Sequence, residues 1–280
     1  MRTNEIASKL SVEQRRLYDE DGYLCPIRVF DDAETAEFRG EFEAYTRTNQ
    51  TRLDGMLPRE RRAVYALTHM SLPWVHRLVS HPRILDAVEG VIGPNILVWE
   101  STWFVKFPHD KAFISWHQDG AYWGLNPPNV TTAWVALSAS TPENGCMRVV
   151  PASHRVALPQ RDTYAPDNAL SRGQEIAVEV DETQGVNLTL APGEMSLHHI
   201  GIVHGSKVND SDHPRIGFAI RYISPEVVQQ GSERQMVLLV RGKDEYGHFK
   251  IVDTSENGAM STATQQEAER LFINNVVPKK

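Results

Sequence analysis

The feature that most limits what this chain can fold into is a change of period near residue 96. Before it, apolar residues recur every three to four positions between helix signals. Ser11 with Gln14 three residues on is a capping-box pattern, and Gly22 offers a stop. Asp31 and Asp32 open a run that spaces Phe38, Phe42 and Tyr45 along one helix face. Residues 73–92 repeat the pattern around Leu78, Ile84, Leu85, Val88 and Val91, with Pro82 placed to begin a second short helix. The intervening GYLCPIRVF reads as a strand that Pro26 assigns to the neighbourhood of an edge. From residue 97 onward the chain is a series of short β-rich runs, among them LVWESTWFVKF, VTTAWVALS, EMSLHHI and RIGFAIRYIS, separated by Asn, Gly, Pro and Asp clusters. Helices followed by seven or eight strands predict a mainly β molecule with flanking helices (α+β), in which a helical layer packs on a jelly roll.

At 280 residues, with no internal repeat and no linker composition, the chain suits one domain. The expected division is a mostly helical layer over 1–95, a jelly-roll core over 96–225 and a C-terminal extension over 226–280. In the extension QMVLLV and YGHFKIV read as strands and QQEAERLF as a terminal helix. The net charge is −7 and the basic residues are scattered, so the footprint of a nucleic-acid partner is missing. No apolar run reaches membrane-span length, and the first twenty residues are polar and carry acids. A cytoplasmic enzyme is the expectation. Cys25 and Cys146 lie outside any CxxC pattern, which argues against a thiolate metal site and reads as buried, reduced packing.

The stretch SWHQDGAYWGL carries the chemistry. On a strand, positions i and i+2 share a face, so His117 and Asp119 would project together. A third ligand for a metal has candidates in LHHIGIVHGSKVN, which offers His198, His199 and His204. Two imidazoles and a carboxylate with open positions suit non-haem Fe(II). An arginine on the strand RIGFAIRY, Arg215, lies eleven residues after His204, and its planar fork matches a carboxylate bidentately. Thr132 and Trp134 share one strand face and are candidates to line the same pocket. Gln118 alternates to the opposite face and reaches the cavity only if the strand bends.

With these residues in place, the sequence resembles the phytanoyl-CoA dioxygenase family of Fe(II)- and 2-oxoglutarate-dependent oxygenases, whose core is a double-stranded β-helix of jelly-roll, cupin-like form. The resemblance runs through SVEQRRLYDEDGYL, WHQD, TAWVALSASTPENGCMRVVPASHR, PGEMSLHHIGIVHGSKVN and the Arg of HPRIGFAIRY. It implies Fe(II) on His117, Asp119 and His204, and 2-oxoglutarate with its distal carboxylate on Arg215, with Ser206 as hydroxyl partner. It also sets Trp134 beside the oxoacid, leaves His198, His199 and His154 as structural groups, and makes O2 the second cosubstrate. Because the carboxylate position is Asp119 rather than a small residue, hydroxylation is expected over halogenation. A cupin-type metalloenzyme without 2-oxoglutarate would have no use for Arg215 and Ser206, and a silent binding protein would not be expected to keep all three ligands. The substrate is expected to be a small molecule such as an amino acid, a phosphonate or a secondary-metabolite intermediate. Tyr122, Trp123 and Leu125 are candidates for its aromatic wall, and Lys106, Arg148, Arg221 and Arg241 for holding an anionic group.

Overall fold

The computed structural model describes residues 9–230, 233–252, 261, 264, 266–268, 270 and 271. Helix α1 (Val12–Asp21) carries the capping box: Gln14 N–H donates to the Ser11 hydroxyl, Ser11 N–H donates to the Gln14 side chain, and Gly22 ends the helix in the left-handed region at φ 81°. Helix α2 (Asp32–Thr48) has the same reciprocal pairing between Asp31 and Glu34. Helices α3 (Pro73–Val79) and α4 (Pro82–Ile92) each begin on a proline, whose missing N–H would have had no partner in a first turn.

The strands of the two main sheets are β1 (Tyr23–Arg28), β2 (Ile96–Lys106), β3 (Ile114–His117), β4 (Val130–Ala136), β5 (Met147–Val150), β6 (Val186–Asn187), β7 (Glu194–His199), β8 (Val203–Ser206), β9 (Arg215–Ile223), β10 (Met236–Arg241) and β11 (Lys250–Ile251). Among the described residues one sheet runs β1-β7-β4-β9-β2-β10-β11 and a smaller one runs β3-β8-β5-β6. Pairing is antiparallel except between β10 and β11. Strand β1, with Pro26, lies on an edge as its sequence predicts. The larger sheet takes β1 from before residue 96 and β10 and β11 from after residue 225. The divisions expected at 96 and 225 therefore do not mark the limits of the sheet. Of the expected terminal helix QQEAERLF, residues 266–268, 270 and 271 are described, and all five are helical. Cys146 is buried, whereas Cys25 is partly exposed rather than buried.

Period-2 alternation sorts the central strands into two faces. Outward go Trp103, Val105, Ala133, Val135, Met195, Leu197, Phe218 and Ile220, all buried against Phe42, Trp74, Leu78 and Ile84 of the helical layer. Trp103 stacks on Phe218 at 4.1 Å between ring centroids and tilts against Phe42 at 4.5 Å. Tyr222, fully buried, donates its hydroxyl to the Val79 carbonyl at 2.8 Å and ties β9 to the end of α3. With the outer face filled by apolar packing, the inner face is left for Glu100, Lys106, Thr132, Trp134, His198, Arg215 and Arg221, which are buried there. So much buried polarity on one sheet face is costly unless it serves a site.

Candidate metal centre

His117 and His204 stand opposite each other in the β3–β8 register, with ring centroids 4.1 Å apart. Each Nδ1–H donates to a carbonyl two residues upstream, Ser115 at 2.9 Å and Ile202 at 3.0 Å. That fixes the tautomer and turns both Nε2 lone pairs inward. The Asp119 carboxylate meets them, Oδ1 at 3.4 Å from His117 Nε2 and Oδ2 at 3.9 Å from His204 Nε2. The ligating atoms of the three all lie within 4.8 Å of one another, and all three residues are buried. The chemistry of the donors fits a divalent metal. Burial, aided by His117, brings His204 down to about 4, so its imidazole is neutral at pH 7. Two imidazole nitrogens and one carboxylate oxygen, gathered in a buried pocket, match a first-row cation.

The geometry corrects the strand argument for HxD. Strand β3 ends at His117, and Asp119 has φ −59° and ψ −39°, at the start of the short helix α5 (Gly120–Trp123). The carboxylate reaches the imidazoles because the chain turns there, not because i and i+2 share a strand face. The same turn carries Gln118 away from the cavity. Its amide nitrogen donates to the carbonyls of Val156 at 2.8 Å and Gly201 at 2.6 Å, and its oxygen accepts from Leu158 N–H at 2.8 Å. With its amide spent on fastening the 153–158 loop, Gln118 is not available to a cosubstrate.

The cavity over the triad is lined by Thr132, Trp134, His198, Ser206, Arg215 and Arg221 besides the three ligands. Arg215, 2% exposed, donates to the Ser206 hydroxyl at 3.0 Å and to the Gly145 carbonyl, and its guanidinium lies over the Trp134 ring at 5.2 Å. Burial lowers it to about 10, which still leaves it charged at pH 7. Two glycines make room. Gly217 faces Trp134 so closely that an added Cβ would sit 1.8 Å from the ring, and Gly145, at φ 72°, packs against the Lys207 and Val208 carbonyls. Thr132 Oγ1, Arg215 Nε and His198 Nδ1 have no hydrogen-bond partner among the described residues.

Sequence reasoning missed Lys106 at this end. Paired with Arg215 across β2 and β9, it bonds the Ser206 hydroxyl and the Lys207 carbonyl, away from the substrate position expected for it. Burial and the Arg215 charge push its ammonium well below the ordinary lysine range. The cross-strand register that brings the two cations together is not readable from one sequence. Arg148 pairs with Glu182 at 2.9 Å, and Arg241 pairs with Asp86 at 2.8 Å and Glu89 at 2.7 Å, so neither faces the triad. His199 accepts Gly201 N–H at 3.0 Å and its ring lies 5.0 Å from that of His154. His198 instead faces the cavity, its ring 5.0 Å from that of His204.

A second cavity meets the triad from the other side, lined by Tyr122 and Trp123 together with Arg62, Glu100, Arg172 and Arg221. Leu125, expected in the same wall, does not line this cavity but is buried in a cluster with Trp99 and Ile223 against which Trp123 packs. No helix among the described residues is long and apolar enough to cross a membrane.

The family model described as phytanoyl-CoA dioxygenase matches residues 18–217. The peroxisomal phytanoyl-CoA dioxygenase of Bos taurus is 28% identical over 268 residues, covering 87% of this chain and 79% of the relative. An ectoine dioxygenase of Bordetella parapertussis is 27% identical over 249 residues, covering 79% of this chain and 78% of its own. Among solved structures, a non-heme monooxygenase, ThoJ, superposes with a TM-score of 0.76 at 33% identity over 94% of both chains. CytC3 with Fe(II) and alpha-ketoglutarate, at 23% identity and a TM-score of 0.66 over 89% of this chain and 95% of its own, shares the fold.

Proposed function

The chain belongs to the phytanoyl-CoA dioxygenase family, and from that premise we propose that His117, Asp119 and His204 hold the iron while Arg215 and Ser206 hold the far carboxylate of 2-oxoglutarate. The activity is that of an Fe(II)- and 2-oxoglutarate-dependent dioxygenase, a hydroxylase. Bound in the triad, Fe(II) with O2 and the oxoacid supplies the oxidising chemistry, coupling decarboxylation of 2-oxoglutarate to succinate and CO2 with hydroxylation of the substrate.

The protein's own groups supply position and environment. Carbonyls of Ser115 and Ile202 hold both imidazoles in the metal-binding tautomer. The observation that carries the reading is the buried Arg215 guanidinium, which lines the triad's cavity beside Ser206 and has no carboxylate partner among the described residues. A buried guanidinium is unfavourable without an anion, and a dicarboxylate reaching from the metal would supply it. A cupin without 2-oxoglutarate would leave that cost standing. Trp134 walls the side of this pocket, beneath the Arg215 guanidinium. The whole chain, 1–280, acts as one catalytic unit.

The substrate enters from the second cavity. Its lining sets the Tyr122 and Trp123 rings beside the guanidinium groups of Arg172 and Arg221. Relatives are named for ectoine and for L-proline, which supports a small metabolite here too.

Titrating the Fe(II)-loaded protein with 2-oxoglutarate under argon, and following the weak visible absorbance of a metal-chelated oxoacid, tests the assignment. Arg215→Ala removes a charge-assisted contact costing about 2–5 kcal/mol, about thirtyfold to a few thousandfold in affinity. Arg215→Lys restores only part, since an ammonium lacks the planar fork. Unchanged affinity in Arg215→Ala, or no response to 2-oxoglutarate in the parent protein, contradicts the assignment.

A further inference from the structure

The second cavity is lined by a cluster of guanidinium groups, Arg62, Arg172 and Arg221. Arg221 lines both cavities and is 5% exposed. Its nearest carboxylate is Glu100, whose Oε2 is 3.7 Å away while Oε1 takes a 2.7 Å bond from Arg62 and a 2.9 Å bond from the Thr102 hydroxyl. Arg172, which also lines the second cavity, stands 3.5 Å from Asp162, beyond a good hydrogen bond. Neither Arg172 nor Arg221 thus has a carboxylate in hydrogen-bond contact among the described residues. A buried guanidinium without a matched anion is expensive.

The stacking of the two arginines shows which of their edges remain for a ligand. Arg221 lies over Phe104 at 5.7 Å and over Trp123 at 5.4 Å, and Arg172 lies over Tyr122 at 4.6 Å. Aromatic rings against guanidinium faces leave only the in-plane N–H groups for hydrogen bonding. On both residues the buried Nε has no hydrogen-bond partner among the described residues. An oxyanion approaching in the plane would satisfy Nε–H and an adjacent N–H together, the side-on form of a bidentate contact.

We propose that Arg172 and Arg221 grip a carboxylate of the primary substrate, so that this oxygenase hydroxylates a small carboxylic acid whose body lies along Tyr122 and Trp123 beside the triad. The inference rests on the oxygenase reading above and adds the substrate class to it. The substrate carboxylate would thus be distinct from that of 2-oxoglutarate, which the Arg215 end of the first cavity takes.

The test uses the full chain loaded with Fe(II) and saturated with 2-oxoglutarate under argon, so that Arg215 is already occupied. Matched pairs of acid and primary amide, beginning with benzoate and benzamide and with cyclohexanecarboxylate and its amide, are followed by thermal shift and tryptophan fluorescence. Acids are expected to raise the unfolding temperature where their amides do not. Arg172→Gln and Arg221→Gln are expected to weaken acid binding about tenfold or more. Affinity for 2-oxoglutarate, measured in the same samples, should shift by less than acid affinity does. Arg172, with a side chain 20% exposed, keeps the test alive should exchange of buried Arg221 cost the fold. Equal response to acid and amide, response to neither across the panel, or loss of 2-oxoglutarate affinity in step with that of the acid overturns the inference while the oxygenase reading stands. A parent protein that binds no 2-oxoglutarate overturns both.

Discussion

Gly217 shows how one missing side chain shapes the cosubstrate end. Trp134 occupies the space a Cβ would need, only 1.8 Å away, so Gly217→Ala must displace the ring or bend β9. Overpacking of that kind costs about 1–3 kcal/mol, and the displaced ring would disturb the face that Arg215 stacks on. Denaturant unfolding should show the loss, and 2-oxoglutarate affinity should fall with it; a variant with parental stability and affinity would mean Trp134 is not held in this place. Individual site residues were legible where a motif fixes them. His117, Asp119, His204, Ser206 and Arg215 are named by their spacing and resemblance and converge on one cavity. Lys106 and Gln118 were not, because the first depends on which strand pairs with β9 and the second on where β3 ends.

At the scale of elements, helix starts were the most readable part of the chain, since Ser11, Asp31 and Pro82 act through contacts within a few residues of themselves. The break between β3 and α5 was not, because what holds it comes from far along the chain. Gln118 binds carbonyls of Val156 and Gly201 and the N–H of Leu158, and Gln160 returns two bonds to the Gln118 backbone. Gln118→Ala leaves those backbone groups short of partners, for which about 1–3 kcal/mol of stability should be lost. Because the turn also aims Asp119, Fe(II) affinity measured by competition with a chelator should fall although the exchanged residue is no ligand. Parental Fe(II) affinity in that variant would show that the turn holds its shape without Gln118.

The whole molecule divides its labour by sheet face. One side of the larger sheet is sealed by helices through Trp103, Phe218 and their neighbours, and the other carries the polar residues that meet β3 and β8 of the smaller sheet at the triad. The change of period near residue 96 announced a helical layer over a β core, but not that β1, β10 and β11 from outside 96–225 would complete the sheet, since strand order is set by long-range pairing. The central claim is that the iron and the 2-oxoglutarate share the first cavity, one at each end. Diffraction from crystals grown under argon with Fe(II) and 2-oxoglutarate, collected at the iron absorption edge, tests it most directly. The anomalous peak should lie within coordination distance of His117 Nε2, His204 Nε2 and an Asp119 oxygen, with the far carboxylate of the oxoacid against Arg215 and Ser206. A peak on His198 or His199 in place of His204, or an oxoacid whose far carboxylate avoids Arg215, would contradict it.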